Sequence, residues 1–281
     1  MRIQVNGTSL FADVEGPGLV PDGDTMREKP TLLLLHGGPG HDHSIFKPAY
    51  GRLADLAQIV YVDQRGNGRS QDSDPATWNL DQWADDIPAL CDALGITKPI
   101  VLGWSFGGIV AMHYAGRHPD HPARLILQST MARMDVDLVV EGFRTEAGEA
   151  AALAAKAFLT EGTPETFAAF GRLCAPAYSP DPAFPSTEDV HAMLRMVPNP
   201  ELTMRFLSQE RFDLRPGLAA IRCPTLVVAG SRDPITPLTM ADEIMAALPV
   251  GSRLEVFDKS GHFIPDTEGE RFFALLRSFI V

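Results

Sequence analysis

The sequence predicts an α/β chain with a mostly parallel central sheet, helices on its faces and a helical insertion late in the chain. Three observations predict it. Short apolar runs of buried-strand length alternate with segments of helical periodicity. A Gly-x-Ser-x-Gly pentapeptide, Gly103-Trp104-Ser105-Phe106-Gly107, joins one such run to one such helix. From Asp135 to Arg222 the strand-like runs stop while amphipathic, Ala-rich segments continue.

In chain order, Gln4 to Phe11 reads as a hairpin, because Asn6-Gly7 supplies the positive-φ positions of a tight turn. Gly16 to Pro30 has loop composition, and Thr31 to Leu35 is a buried strand. Further strands are expected at Ile59–Val62, Ile100–Leu102, Leu125–Leu127, Thr225–Ala229 and Leu254–Phe257. Trp83, Ile87, Leu90 and Leu94 recur at helical spacing, with Asp81 as the expected N-cap. Pro99 to Gly116 carries no formal charge and nearly reaches the length of a bilayer span. Its glycines, His113 and Tyr114 instead favour a strand, a glycine turn and a helix. Glu149 to Thr160 is helical, Pro-rich joints fall at Pro176–Pro185 and Pro198–Pro200, and the βαβ rhythm resumes at Pro224. The expected division is a core of residues 1–134 and 223–281 with a helical cap at 135–222.

The 281 residues are 45% hydrophobic and 21% charged, the composition of a globular protein with one sizeable core. A net charge of −12 disfavours nucleic acid and anionic membrane surfaces as partners and mildly favours cationic ligands. Cys91, Cys174 and Cys223 form no framework or zinc pattern, and the N-terminus lacks an apolar leader. A cytoplasmic protein is expected.

The pentapeptide carries the chemistry. A serine on a strand-to-helix turn needs small neighbours at Gly103 and Gly107, where a Cβ would meet the adjoining strand and helix. Ser105 would stand at a helix N-terminus, so the Phe106 N–H is one expected oxyanion donor. The second is assigned to Gly38, in His36-Gly37-Gly38-Pro39-Gly40 after an earlier strand. Asp233 follows the penultimate strand and is the expected acid, with Asp135 as its rival. Of eight histidines only His262 follows both Ser105 and Asp233, which makes it the expected base. Gly261 should give its loop the freedom to aim the ring. Asp63 to Ser70 reads as a structural turn, with Arg65 bracing the loops.

These residues resemble the α/β-hydrolase superfamily over essentially the whole chain. His36 to Gly40 together with Asp63-Gln64-Arg65-Gly66-Asn67-Gly68-Arg69-Ser70 is similar to the proline iminopeptidase branch. The resemblance implies an α/β-hydrolase fold with a helical cap, and release of an N-terminal residue, often proline. It also implies glutamates that hold the substrate's amine, a role that falls on Glu201 in Asn199-Pro200-Glu201-Leu202. The sequence departs from the branch at Pro234, where a second glutamate is expected, and in having Gly-Trp-Ser-Phe-Gly where Gly-Gly-Ser-Trp-Gly is usual.

The leading expectation is an acyl-enzyme serine hydrolase, free of metal or organic cofactor, acting on a small amide or short peptide with a free amino terminus. An esterase or lactonase on a neutral small molecule is the alternative, since the same three residues serve both. A non-catalytic ligand-binding protein on this scaffold is a third reading, and resemblance to Gly-Trp-Ser-x-Gly-Gly variants adds a haloperoxidase-like side activity.

Overall fold

The computed structural model describes residues 1–70, 72–181 and 187–281, with backbone only at 187, 188 and 190. Strands β1 (Arg2–Val5) and β2 (Thr8–Glu15) form the expected hairpin, turning at Asn6 and Gly7 with φ of 42° and 77°. A second hairpin, β3 (Leu19–Asp22) with β4 (Thr25–Glu28), occupies what composition marked as loop. Its two strands are short and mostly exposed, so no apolar run announces them. The Gly23-Asp24 loop between them, with Gly23 at φ 61°, is the turn signal that was available.

Next come β5 (Thr31–Leu35), β6 (Gln58–Asp63), β7 (Ile100–Trp104), β8 (Arg124–Gln128), β9 (Thr225–Gly230) and β10 (Arg253–Phe257). They run parallel in the sheet order β1-β2-β6-β5-β7-β8-β9-β10, with β1 and β2 antiparallel at one edge. Their apolar runs are continuous because both faces are covered. Successive side chains alternate sides. Leu33 and Leu35 join one core with Trp83 and Ile87 of α1 (Leu80–Leu94) and with Phe106 and Val110 of α2 (Phe106–Arg117). Leu32 and Leu34 join the opposite core with Phe272 and Leu276 of the C-terminal helix, Ile264–Ile280.

The cap of α1 corrects the expectation. Asn79, two residues before Asp81, accepts the Gln82 N–H at 3.0 Å. Asp81 lies in the first helical turn, where a carboxylate suits the positive dipole end, and bonds His113 at 2.6 Å.

Between β8 and β9 the elements among the described residues are helical: α3 (Val136–Ala147), α4 (Glu149–Glu161), α5 (Pro164–Leu173), α6 (Thr187–Leu194), α7 (Pro200–Gln209) and α8 (Arg215–Leu218). Of the Pro176–Pro185 joint, residues 182–185 lie outside the described residues. Helices α9 (Leu238–Ala247) and α10 (Ile264–Ile280) then complete the chain. No helix among the described residues is long and apolar enough to cross a membrane. The uncharged stretch at 99–116 is β7, a turn and α2.

Parallel strands bring the loops after β5, β7, β9 and β10 to one edge of the sheet. The chain leaves β5 toward β6 on one side and returns as β7 on the other. Such a reversal opens a crevice at the carboxyl ends of the strands. Gly37–Asp42 and Ser105 flank it.

Candidate active site

Ser105 lies between β7 and α2 with φ 55° and ψ −119°. That backbone region costs a non-glycine residue on the order of 1–3 kcal/mol and persists only when the surroundings impose it. They do so here. The Ser105 N–H donates to the Gln128 carbonyl at 2.9 Å, and the Ser105 carbonyl accepts from the Gly108 N–H and from Thr130 Oγ1 at 2.9 and 2.7 Å. A Cβ at Gly103 would lie 2.3 Å from the Gly107 carbonyl oxygen, and one at Gly107 would lie 2.0 Å from that of Leu35. Both glycines of the pentapeptide are therefore steric necessities.

Asp233 and His262 meet from the loops after β9 and β10, both buried. Asp233 Oδ2 lies 2.7 Å from His262 Nδ1. The same carboxylate accepts the Ile235 and Thr236 N–H groups and the Thr236 hydroxyl, so it is a turn former as well as a partner of the ring. With three donors already on its oxygens, the carboxylate accepts from Nδ1–H, which leaves Nε2 of a neutral imidazole as an acceptor. Ser105 and His262 line one cavity. The His262 ring is wedged between Trp104 and Tyr178, at centroid distances of 5.4 and 5.1 Å. The Tyr178 carbonyl accepts the His262 N–H at 2.7 Å. A Cβ at Gly261 would stand 2.5 Å from that carbonyl oxygen, so this glycine permits close approach rather than loop freedom. Asp135, the rival acid, is the N-cap of α3, accepting the Leu138 N–H and paired with Arg133.

Gly37–Asp42 lies against the serine turn: a Cβ at Gly37 would be 3.2 Å from Ser105 Cβ. Gly38 (φ 113°) and Phe106 line the cavity beside Ser105, and Phe106, first in α2, has no intrahelical acceptor for its N–H. His36 is structural. Its Nε2 accepts the Gln64 N–H and its Nδ1 bonds the Gly37 carbonyl, while burial pushes its pKa down. Arg65 braces the loops with two bonds to Asp86, at 2.7 and 2.8 Å, and one to the Asn6 carbonyl.

Asp42, His43 and Asp63 are clustered closely enough to resemble a metal site. Their chemistry does not fit one. Asp42 accepts from Ser44, Val197 and Arg69, and Asp63 from His43 and Arg69, so each carboxylate oxygen already has a donor and a guanidinium sits beside them. Burial is the largest single influence on Asp63 and opposes its ionisation, but the hydrogen bonds from His43 and the electrostatic pull of the neighbouring histidines together hold the carboxyl below its ordinary pKa.

The cavity at Ser105 has a volume of about 150 Å³ and a largely apolar wall. Ile109, Met131, Met134, Val139, Phe158, Phe170 and Phe206 line it, drawn from α2, the β8–α3 loop and the helical insertion. No carboxylate lines it among the described residues. Glu201 is exposed on the first turn of α7 and is not among the lining residues. The reason is angular: α7 turns Thr203, Phe206 and Leu207 inward, and at about 100° per residue a side chain two positions before Thr203 points the other way. The helix-face spacing of 203, 206 and 207 was the sequence signal for these lining residues. Tyr178 and His41 gave none, since each depends on tertiary packing.

A family model described as the alpha/beta hydrolase fold matches residues 30–268. A pimeloyl-acyl-carrier-protein methyl ester esterase of Neisseria meningitidis is 30% identical over 262 residues, covering 89% of this chain and 76% of that protein. A proline iminopeptidase of Clostridium botulinum is 30% identical over 279 residues, covering 92% of each. Among solved structures, a thermophilic esterase from Thermogutta terrifontis aligns with a TM-score of 0.73 at 26% identity, over 100% of this chain and 97% of that one. The serine turn, the sheet order and this match over most of its length agree: the chain belongs to the alpha/beta hydrolase family.

Proposed function

We propose that the chain is a carboxylic ester hydrolase that takes a compact apolar acyl group and works through an acyl-enzyme on Ser105. One observation carries the choice of substrate: the cavity at Ser105 is apolar and lined by no carboxylate among the described residues, with Glu201 turned to solvent. An ammonium group held there would lose its hydration without an opposite charge in return, a penalty of several kcal/mol. A neutral acyl chain meets no such penalty. An apolar cavity of about 150 Å³ suits a benzene-sized or short branched group. The amine-bearing substrate expected from the resemblance loses the glutamate on which it rested.

In this reading His262 Nε2 takes the Ser105 proton as Oγ attacks the ester carbonyl, and Asp233 stabilises the imidazolium. The Gly38 and Phe106 N–H groups receive the oxyanion. Collapse expels the alcohol with the proton from His262, and water repeats the sequence to release the acid. The ester-hydrolase name of the Neisseria relative supports the same class.

The test compares p-nitrophenyl esters from acetate to decanoate, and benzoate, with aminoacyl arylamides. We expect ester turnover peaking at short to medium or aromatic acyl groups, and Ser105→Ala should lower kcat by roughly 10⁴–10⁶-fold. Turnover of arylamides alone would overturn the ester assignment. Failure of a fluorophosphonate to label wild-type Ser105 would overturn the nucleophile.

A further inference from the structure

The loop that bears the Gly38 N–H is held from the helical insertion as well as from the sheet. Thr203 Oγ1, on the inward face of α7, donates to the Pro39 carbonyl at 2.7 Å. The chain leading into α7 adds three more bonds. The Asn199 N–H donates to the Gly40 carbonyl and the Asn199 side-chain amide to the Gly66 carbonyl, both at 2.8 Å, and the Val197 N–H donates to Asp42 Oδ2 at 2.8 Å. From the sheet side, Asn67 Oδ1 accepts the Gly40 N–H at 2.6 Å. The approach leaves no slack: a Cβ at Gly40 would lie 2.1 Å from Thr203 Oγ1 and 2.4 Å from the Asn199 carbonyl oxygen.

We infer that Thr203 is a positioning residue for the oxyanion donor, fixing the Gly38 N–H through its hydrogen bond to the Pro39 carbonyl. Thr203 also lines the cavity. One residue thus touches both the acyl pocket and the loop that must meet the developing negative charge. The inference rests on the ester-hydrolase reading for its catalytic half. Oxyanion donors act in the transition state, so displacing one lowers kcat and leaves ground-state binding nearly unchanged.

Thr203→Val keeps the shape and removes the donor, leaving the buried Pro39 carbonyl without it. Thr203→Ser keeps the donor. For the best ester, Thr203→Val should lower kcat by about 10- to 100-fold with KM within about twofold, and slow fluorophosphonate labelling of Ser105 by a similar factor. Thr203→Ser should restore both to within about threefold of wild type. Hydrogen–deuterium exchange of the segment 36–42 should accelerate in Thr203→Val and not in Thr203→Ser, a readout that needs no turnover. The inference falls if Thr203→Val keeps its kcat, if only KM moves, or if Thr203→Ser loses as much as Thr203→Val. A wild type that neither turns over esters nor is labelled would overturn the ester-hydrolase reading and the catalytic half with it. The exchange experiment would still decide whether Thr203 holds the loop.

Discussion

The sheet edge and the cavity wall opposite it are built on contrasting rules. At the edge, Ser105, Asp233 and His262 sit on turns whose backbone groups are hydrogen-bonded and whose glycines leave no room for a methyl group. On the wall, Phe158, Phe170, Phe206 and the three methionines Met131, Met134 and Met196 meet the cavity through apolar side chains. Methionine and phenylalanine surfaces tolerate repacking, whereas a turn closed by backbone contacts does not. The contrast separates two kinds of surface around one cavity: the edge is fixed by backbone geometry, and the wall can repack.

Gly107→Ala attacks that contrast at its most rigid point and carries the largest expected effect. Its Cβ would lie 2.0 Å from the Leu35 carbonyl oxygen, and that backbone cannot move without shifting β5. We expect a protein that fails to fold or melts far below wild type. A thermal melt within about 3 °C of wild type, equivalent to roughly 1 kcal/mol or less, would show that the edge is not rigid.

His41 tests the wall at a polar point. Its Nδ1 is buried and makes no hydrogen bond among the described residues, and its ring packs edge-on against His191. Burial, aided by the neighbouring His191, pushes its pKa down to about 3. The unfolded chain, with an ordinary histidine pKa near ~6.5, binds the extra proton between these values. Stability from this group is therefore complete above pH 6.5 and declines as the pH falls toward 3. His41→Phe should flatten the fall in urea midpoint between pH 7 and pH 4. Parallel curves for the two proteins would contradict the neutral ring with its buried Nδ1.

Glu201→Gln carries the smallest effect. An exposed first-turn glutamate outside the cavity should leave ester kcat/KM within about twofold and change stability by less than about 0.5 kcal/mol. A tenfold loss in kcat/KM would put this side chain back among the groups that hold the substrate.

What was legible in the sequence follows the same division. The Asn6-Gly7 hairpin, the buried strands and the Ser105 turn could be read because each requires particular residue types at fixed spacing. Asp233 and His262 were singled out by their order along the chain, and the structure brings the two side chains to 2.7 Å of each other. Glu201 misled because a motif match fixes neither a side chain's direction nor which face of α7 turns inward. Asp81 misled for a related reason: several polar residues precede the helix, and only the backbone at Asn79, extended at φ −145°, decides which of them caps it. The staple from Asn199 and Thr203 to the loop at Pro39 and Gly40 joins segments some 160 residues apart, and no local pattern encodes it.

Trp104 precedes the serine, lines its cavity and donates from its indole to the His262 carbonyl at 3.2 Å. The other two tryptophans, Trp78 and Trp83, are absent from the described lining of that cavity. The molecule therefore carries its own optical reporter: a ligand entering beside Ser105 changes the polarity around one indole out of three, so occupancy can be followed by intrinsic emission without a dye or a chromogenic leaving group.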